Sequence, residues 1–469
     1  MRKLLAAAVS AALCSCAVGP NYHRPVTPVD PQFINAEQPG FGSGEVVSRF
    51  WTVFNDPKLN QLVDDALKEN KDLKRARANL KASRAARRLA GFDLFPTVTA
   101  SGGYTKVRES RNQLPAIISE DRTVDDADVG FDAFWELDFF GRVRRGVQAA
   151  RADEQASAAG LRDVQVTVTA EVARNYFVLR GLQEQLQVAV RNADNQEQTW
   201  KLTQVRLEAG RGTELDSARA EAQLKSTRAT IPLLESSIAT TIYRLSVLTG
   251  RVPGALTAEL QTPQPLNALP TLNAIGDPAS LLRRRPDIRV AERSLAASTA
   301  RIGVATGDLF PKVTFTGSIG YDASTFGGLG KSGSDTYSIG PAISWAAFDL
   351  GRVSARIKIA RAQTEADLAA YEASVLGALE ETEGSLVTYG RAQTRRDLLT
   401  EAAAASARAA DLARQRFQGG LTDFVNVLEA ERDALAVQDN LAQSHTQTAT
   451  ALVAVYKALG GGWSDEAAP

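Results

Sequence analysis

The stretch Gly351–Phe417 begins GRVSARIKIARAQTEADLAAYEASVLGALE and continues far beyond the length of an ordinary helix. Apolar or small residues recur through it at intervals of three and four, which is typical of a helix with one packed face. They are Thr364, Leu368, Tyr371, Val375, Leu379, Thr382, Leu386 and Tyr389. A helix of about 65 residues extends roughly 100 Å at 1.5 Å per residue. The sequence therefore predicts a long rod, which few compact domains could contain.

A second copy of this pattern occurs 210 positions upstream, from Gly141 to Leu207. At this shift, Gly141-Arg142-Val143, Arg151-Ala152, Glu171, Arg206, Gly210 and Gly250 match Gly351-Arg352-Val353, Arg361-Ala362, Glu381, Arg416, Gly420 and Gly460. At a shift of 215, Asp93-Leu94-Phe95-Pro96 matches Asp308-Leu309-Phe310-Pro311. The sequence thus predicts an internal tandem duplication of helix, hairpin, long helix, turn and helix.

Between the helical segments of each copy lie two runs that alternate between apolar and polar residues, as strands with two unlike faces do. The apolar positions of the first copy are Val98, Ala100, Gly102 and Tyr104, then Val129, Phe131, Ala133, Trp135 and Leu137. Those of the second copy are Val313, Phe315, Gly317, Ile319 and Tyr321, then Tyr337, Ile339, Ile343 and Trp345. Such runs are typical of transmembrane β-strands, which cross a bilayer in about 9–11 residues.

Four such strands cannot form a closed barrel, since the smallest known transmembrane barrels have about eight. An open sheet edge in lipid would leave backbone groups without hydrogen bonds, at a cost of several kcal/mol each. The sequence therefore predicts that two or more chains share one barrel in the lipid bilayer. The helices are too polar to cross a membrane, and we expect them to project roughly 100 Å into the aqueous periplasm.

Charge and residue usage argue against several classes of function. Lys plus Arg and Asp plus Glu are each 54, so the formal net charge is +0, and nothing indicates nucleic-acid binding. The two histidines are His23 and His445, and both cysteines, Cys14 and Cys16, lie near the start of the sequence. The sequence offers no convergent set of His, Cys or Ser for catalysis or metal binding. We expect no enzyme activity, no metal and no cofactor.

The N-terminal segment resembles a bacterial lipoprotein signal. Arg2-Lys3 precedes the short apolar run Leu4–Leu13, and Leu13-Cys14-Ser15-Cys16 then resembles a lipobox. Cys16 fits the cleavage position better than Cys14, because a small residue precedes it. The resemblance implies cleavage before Cys16 and lipidation of that residue. An ordinary secretory signal with incidental cysteines is the alternative.

These patterns predict the following organisation. Residues 1–15 form a signal peptide, and residues 16–50, which are rich in proline, form an extended arm. Repeat 1 spans 51–252, with a first helix expected over 57–91, a hairpin at 96–140, a long helix at 141–209 and a last helix at 213–250. Pro232 is expected to interrupt or kink that last helix. A linker or equatorial segment occupies 253–276. Repeat 2 spans 277–462, with a hairpin at 311–350, a long helix at 351–418 and a helix at 422–460, and residues 463–469 form a tail.

Several motifs resemble those of the outer-membrane efflux factor family, the TolC-like group, and in particular its lipoprotein, NodT-type branch. They are Leu281-Leu282-Arg283-Arg284-Arg285-Pro286-Asp287-Ile288, the two Leu-Phe-Pro turns, the two Gly-Arg-Val openings, Gly420-Leu421-Thr422-Asp423-Phe424 and Cys16-Ala17-Val18-Gly19-Pro20-Asn21-Tyr22. The resemblance covers nearly the whole chain. It implies a membrane α+β fold, a homotrimer in which four strands per chain build a twelve-stranded β-barrel that is continued by a long periplasmic α-helical barrel. It further implies a tripartite efflux system, with a periplasmic adaptor (membrane fusion) protein and an inner-membrane RND transporter as partners.

In this family, inward-coiling helices and an acidic ring close the periplasmic end of the tunnel. The resemblance assigns Val425 to the apolar constriction, Glu429 to the acidic ring and Arg432 to its partner, three residues further along one helix face. Crowded carboxylates from three chains would favour cation binding and make the gate sensitive to pH and salt. Asp216 and Arg219 repeat the same spacing in the first copy and are secondary candidates. Without the resemblance, Glu429 would be interpreted as a solvated helix charge.

The turns Gly210-Arg211-Gly212 and Gly419-Gly420 are expected at the periplasmic tips, where an adaptor docks. They are equally compatible with ordinary turns of helical hairpins. The leading functional hypothesis is a passive exit duct for drugs or other small toxic compounds, with energy supplied by the inner-membrane partner. The alternative within the same family is an outer-membrane duct for type I protein secretion. A purely structural trimeric coiled coil is disfavoured by the alternating strands.

Overall fold

The computed structural model describes residues 17–35, 44, 46–108, 110, 123–266, 268–272 and 274–463. The predicted signal peptide and Cys16 lie outside these ranges. Within them the chain forms, in order, α1 (Pro57–Glu69), α2 (Lys71–Phe92), β1 (Thr97–Arg108), β2 (Thr123–Leu137), α3 (Arg142–Glu208), α4 (Glu214–Leu248), α5 (Thr257–Leu260), α6 (Pro278–Arg284), α7 (Pro286–Gly307), β3 (Lys312–Ala323), β4 (Asp335–Ser344), α8 (Leu350–Gln418) and α9 (Phe424–Ala458).

The two long helices have nearly equal lengths. Helix α3 contains 67 residues and α8 contains 69, so each is roughly 100 Å long. Helices α4 and α9, which follow them, contain 35 residues each. Pro232 does not interrupt α4, which runs without a break from Glu214 to Leu248. No helix in the described ranges is both long and apolar enough to cross a membrane.

Two compact units divide the chain. Among the described residues, the strand unit lies within 17–26, 79–158 and 289–372, and the helix unit lies within 27–78, 159–288 and 373–463. Each long helix contributes to both units. The sheet belongs to the strand unit, whereas the turns that follow α3 and α8 belong to the helix unit.

The strand unit contains one antiparallel sheet in the order β1-β2-β3-β4, so the hairpins of the two repeats are joined directly through β2 and β3. Phe131 lies opposite Ala100 on one side and Ile319 on the other, and Ile319 lies opposite Tyr337. This register places the apolar positions of all four strands on one face of the sheet.

The opposite face of the sheet is polar. Asp132 lies opposite Thr99 on one side and Ser318 on the other, and Ser318 lies opposite Ser338. Neither face is covered by the residues that the structure describes: Ile319 and Ile339 on the apolar face are 66% and 68% exposed, and Asp132 and Ser318 on the polar face are also exposed. A sheet with one apolar and one polar face and no covering layer fits a barrel wall between lipid and water.

Two tryptophans fasten the Leu-Phe-Pro turns to the sheet. Trp135 donates from Nε1 to the carbonyl oxygen of Leu94 at 3.0 Å, and Trp345 donates from Nε1 to the carbonyl oxygen of Leu309, also at 3.0 Å. Positions 135 and 345 are related by the shift of 210, and positions 94 and 309 by the shift of 215. The duplication therefore preserves a tertiary hydrogen bond as well as a pattern of residue types.

The helix unit has its own hydrophobic core, built around aromatic side chains. Phe50 stacks on Tyr456 with ring centroids 5.4 Å apart, and Phe54 packs against Phe177 at 4.8 Å. Tyr176, also buried, donates its hydroxyl to Asp56 at 2.6 Å. Asp56 in turn caps α1 by accepting from the backbone amides of Lys58 and Leu59, so the cap of one helix is tied to the core.

The prediction of one continuous helix over 57–91 is wrong, because α1 and α2 are separated at Asn70. The Asn70 side chain accepts from the backbone amides of Asp72 and Leu73 and donates from Nδ2 to the carbonyl oxygen of Leu248 at 2.9 Å. In repeat 2, Arg285 stands at the equivalent break and donates to the carbonyl oxygen of Ala458 at 2.8 Å. Both repeats thus use a buried side chain at the break to satisfy a carbonyl near the end of a later helix.

Candidate gate and anchoring region

The turns after the two long helices have the same backbone geometry. Gly210 and Gly420 have positive φ values of 68° and 72°, which a residue without a Cβ adopts at little cost. The next backbone amide, of Arg211 or Leu421, donates to the carbonyl oxygen of Arg206 or Arg416 at 2.8 Å in both turns. Each long helix therefore ends in a closed, left-handed cap, and the chain can reverse into α4 or α9 at once.

A hydrophobic cluster packs behind these turns. This tip cluster consists of Ala220, Phe417, Phe424, Val427 and Leu428, with Trp200, Leu202 and Ala413 packed against it. The guanidinium of Arg206 lies 4.4 Å from the centre of the Phe417 ring and donates to the Phe417 carbonyl oxygen at 2.8 Å. A cation thus caps the last turn of α8, and the cluster joins the ends of α3 and α8 to the start of α9.

The two leading gate candidates lie on the other face of α9. Val425 is 37% exposed and Glu429 is exposed, whereas Phe424, Val427 and Leu428 are buried in the tip cluster. Val425 and Glu429 are four residues apart and therefore lie one above the other on the helix surface. In the described part of the chain, the face that carries them lies outside the tip cluster and is open to solvent at Glu429.

Arg432 does not pair with Glu429 in the described part of the chain, contrary to the prediction. Its Nε donates instead to Oε1 of Gln223 on α4 at 2.7 Å. A spacing of three residues allows a pair along one helix, but it does not exclude a partner on a neighbouring helix. Arg432 therefore ties α9 to α4, and the carboxylate of Glu429 remains available to solvent.

The secondary candidates, Asp216 and Arg219, are also separate. Thr213 caps α4: its hydroxyl accepts from the Asp216 amide at 3.1 Å and donates to Oδ2 of Asp216 at 2.7 Å. Asp216 thus takes part in a helix cap, while Arg219 is exposed. At the shift of 210, Arg219 is the equivalent of Glu429, so the two copies place opposite charges at this position.

Sequence reasoning missed the residue that fixes the segment after Cys16. Arg145 of α3 is 4% exposed, and its guanidinium donates to the carbonyl oxygens of Ala17, Val18 and Gly19 and to the side chain of Asn21 at 2.9–3.3 Å. Four acceptors on five consecutive residues hold this segment in one conformation. The equivalent position in repeat 2 is an alanine, Ala355, and that asymmetry was the available signal.

The backbone of the same segment approaches α7 very closely. Gly19 has a φ of 88°, and a Cβ added to it would lie 2.5 Å from the Cα of Gly303. Two glycines facing each other permit this approach, which no larger residue could make without displacement. Tyr22 adds a hydrogen bond from its hydroxyl to Glu292 at 2.5 Å. The strand unit thus holds the described start of the arm at several points.

Comparisons with known proteins agree with this architecture. The model of the outer membrane efflux protein family matches residues 62–251 and 278–461. The solvent efflux pump outer membrane protein SrpC of Pseudomonas putida is 30% identical over 466 residues, which cover 96% of either chain. Nodulation protein T of Rhizobium leguminosarum bv. trifolii is 29% identical over 457 residues, again covering 96% of either chain. The solved structure of the outer-membrane channel OprN has a TM-score of 0.90 and 41% identity, covering 96% of this chain and 100% of that chain.

The sheet, the paired long helices and these similarities define an outer-membrane channel with a periplasmic helical tunnel. The chain belongs to the outer membrane efflux protein family. Channels of this family form homotrimers and work with a periplasmic adaptor and an inner-membrane RND pump. The predicted fold class, a trimeric barrel continued by a helical tunnel, is confirmed. The chain is a passive channel rather than an enzyme, and the predicted efflux function is confirmed while type I secretion is not better supported.

Proposed function

We propose that this channel is the exit duct for small toxic compounds of low polarity, that Cys16 carries its lipid anchor, and that its periplasmic end closes at Val425 and Glu429. The observation that carries the proposal is the sheet. Its apolar row through Phe131 and Ile319 and its polar row through Asp132 and Ser318 give a wall with one lipid face and one water face. In the described chain β1 pairs only with β2, and β4 only with β3, so further copies must complete the ladder.

The substrate class rests on similarity. SrpC, whose name assigns it to a solvent efflux pump, aligns over nearly its full length. A passive duct accepts what its pump delivers, and the lumen must therefore tolerate rather than select its cargo. We propose organic solvents and hydrophobic antibiotics as the compounds exported.

A deletion strain, with and without the gene on a plasmid, tests the exported class. We expect deletion to lower tolerance to toluene-like solvents and hydrophobic antibiotics, and the plasmid to restore it. The proteins in the culture medium should be unchanged. Unaltered tolerance together with the loss of a secreted polypeptide would favour the type I secretion alternative.

The anchor is tested by metabolic labelling with palmitate. We expect Cys16→Ala to abolish labelling and Cys14→Ala, its matched control, to retain it. Labelling that survives in Cys16→Ala would refute the anchor.

A second variant, Arg145→Gln, tests how the segment after Cys16 is held. We expect normal palmitate labelling but faster proteolysis after Arg24, because the hydrogen bonds to Ala17, Val18 and Gly19 are lost.

The gate is tested by conductance in planar bilayers. Glu429→Ala should raise the conductance or the leak current, because it removes the charge from the proposed constriction. Glu235→Ala, which removes an exposed carboxylate from α4, is the matched control and should behave as wild type. Equal conductance of the two variants would count against the acidic ring.

Docking at the tips is tested separately from conduction. Leu421 is 73% exposed next to the Gly420 turn, and an exposed apolar residue at a helix hairpin suits contact with another protein. We expect Leu421→Glu to abolish efflux in cells while leaving conductance in bilayers unchanged. A variant that still exports at the wild-type rate would move the docking surface elsewhere.

A further inference from the structure

A buried carboxylate lies directly behind the proposed gate. The packed face of α9 contains Phe424, Val427 and Leu428, and the next residue at helical spacing is Glu431, which is 7% exposed. Acidic residues are almost never fully buried unless they are paired. Glu431 therefore occupies a core position next to apolar residues, and the partners of its carboxylate must account for its burial.

Three helices meet at this carboxylate. The hydroxyl of Thr199, on α3, donates to Oε1 of Glu431 at 2.9 Å within the buried interior. On α8, Nε of Arg414 lies 3.4 Å from the same oxygen. This buried Nε has no hydrogen-bond acceptor in the described part of the chain, so the arginine is attracted to Glu431 by charge alone. The carboxylate thus holds α9 to α3 by a hydrogen bond and to α8 by an ion pair.

Arg414 is shared between two carboxylates, because its guanidinium also donates to Asp411 on its own helix at 2.8 Å. Two other charged side chains on the helices around Glu431 have partners of their own. On α9, Arg432 donates to Gln223 of α4. On α3, Glu197 pairs with Lys201 and with Arg228 of α4. The charge that faces Glu431 is therefore that of Arg414.

The surroundings of Glu431 act on its ionisation in opposite directions. Burial raises its pKa, and the hydrogen bond from Thr199 and the charge of Arg414 offset this only in part. Protonation would end the attraction to Arg414, so that α8 would lose this contact with α9 while the carboxyl could still accept from Thr199 of α3. A raised pKa means that this contact is lost at a higher pH than an ordinary glutamate would require, whereas an apolar residue at this position would not respond to pH.

We propose that Glu431 is a positioning residue of the channel: its ionised carboxylate holds the first turns of α9 against α3 and α8, and loss of the charge loosens them from α8. The inference rests on the proposed gate, because those turns carry Val425 and Glu429. It differs from the gate in mechanism. Glu429 would act on passing ions, whereas Glu431 is buried and acts through the position of its helix.

The test uses trimers of the full-length protein in planar bilayers at about pH 7 and about pH 5. We expect wild-type conductance to rise on acidification. Glu431→Gln should conduct at neutral pH as wild type does in acid, show no further rise on acidification, and keep the wild-type cation selectivity. Glu431→Gln trimers with wild-type conductance and a wild-type pH response would overturn the proposal.

Two further variants separate the possible failures. Glu429→Gln should lose cation selectivity but keep the rise in conductance on acidification. If its selectivity is unchanged, the assignment of Glu429 to the gate fails. The pH response of Glu431→Gln would still decide the role of Glu431. Thr199→Val removes the hydrogen bond and keeps the charge pair, so its conductance should rise at neutral pH and its acid response should persist. If Glu431→Gln does not form trimers, Thr199→Val decides: wild-type conductance in that variant overturns the proposal.

Discussion

The arginines of the Leu-Leu-Arg-Arg-Arg-Pro-Asp-Ile motif act as ties inside the helix unit. Arg285 pairs with both carboxylate oxygens of Asp287 at 2.7 and 3.1 Å and with Glu381 of α8 at 2.7 Å. Arg284 donates to the carbonyl oxygens of Val46 and Gly460. A planar guanidinium can serve several acceptors at once in fixed directions. The motif therefore identifies the family through residues that join distant segments, and none of them is placed in the proposed gate.

Glu381 makes this network dependent on pH. Burial favours its neutral form, but hydrogen bonds and charge from Arg285 and Lys457 outweigh burial and lower the pKa of the carboxyl. A pKa that is lower in the folded than in the unfolded chain stabilises the fold at neutral pH. That stabilisation is lost as the pH falls from the unfolded value through the folded one.

We therefore expect Glu381→Gln to lower the free energy of unfolding at neutral pH. As the pH is lowered, the free energy of unfolding of this variant should fall less steeply than that of the wild type. Since the carboxylate is partly exposed, the loss should be about 1–2 kcal/mol. Thermal unfolding of the detergent-solubilised protein, followed by circular dichroism at neutral and acidic pH, measures the effect. Glu380→Gln, an exposed neighbour, is the control. An equal acid slope in wild type and Glu381→Gln would contradict the assignment.

At the scale of elements, the break at Asn70 shows how a single side chain can divide a helix. Its Oδ1 caps α2, and its Nδ2 satisfies Leu248 at the end of α4. We expect Asn70→Ala to cost about 2 kcal/mol, since it removes a cap and a buried hydrogen bond together. Asn70→Ser keeps a capping oxygen but cannot reach Leu248 in the same way, and it should cost about half as much. Thermal unfolding measures both; equal losses would mean that the cap contributes nothing.

Apolar residues that recur with a period of 2 predict the strands well, and a period of 3.6 predicts the helices well, because each period follows from the local geometry of the backbone. The alternation of Val129, Phe131 and Trp135 correctly predicted which side chains share a face, and the register with β3 extends that face across both repeats. The break at Asn70 was missed because no Gly or Pro marks it; its cause is a contact with a helix about 180 residues later. The resemblance assigns Arg432 to Glu429, and their spacing allows that pair, but Gln223 reaches Arg432 from another helix. Helix spacing defines neighbours along one element and carries no information about the next.

At the scale of the whole molecule, the sheet and the helices have opposite requirements. The polar helices need water, while the apolar face of the sheet needs lipid, and the family's trimer satisfies both by closing four strands per chain into one barrel. The duplication supports this arrangement, because Trp135 and Trp345 make the same bond to the two Leu-Phe-Pro turns. Equivalent turns thus meet the sheet in the same way twice per chain.

The two faces of the sheet make opposite predictions for a single added charge. Ile319 and Ser318 are neighbours on β3 and point to opposite faces. An arginine in place of Ile319 would face lipid, at a cost of about 2–4 kcal/mol near the middle of the bilayer, and each of three chains would bear it. An arginine in place of Ser318 would lie in the aqueous lumen beside Asp132 and should be tolerated.

We therefore expect Ile319→Arg to reduce strongly the amount of heat-modifiable trimer recovered from outer membranes, and Ser318→Arg to leave it near wild type. In planar bilayers, Ser318→Arg should also shift selectivity away from cations, because three positive charges would line the lumen. Recovery of Ile319→Arg at the wild-type level together with loss of Ser318→Arg would mean that the polar face meets the lipid. That outcome would contradict the barrel orientation, and with it the proposal that this chain conducts solutes through its centre.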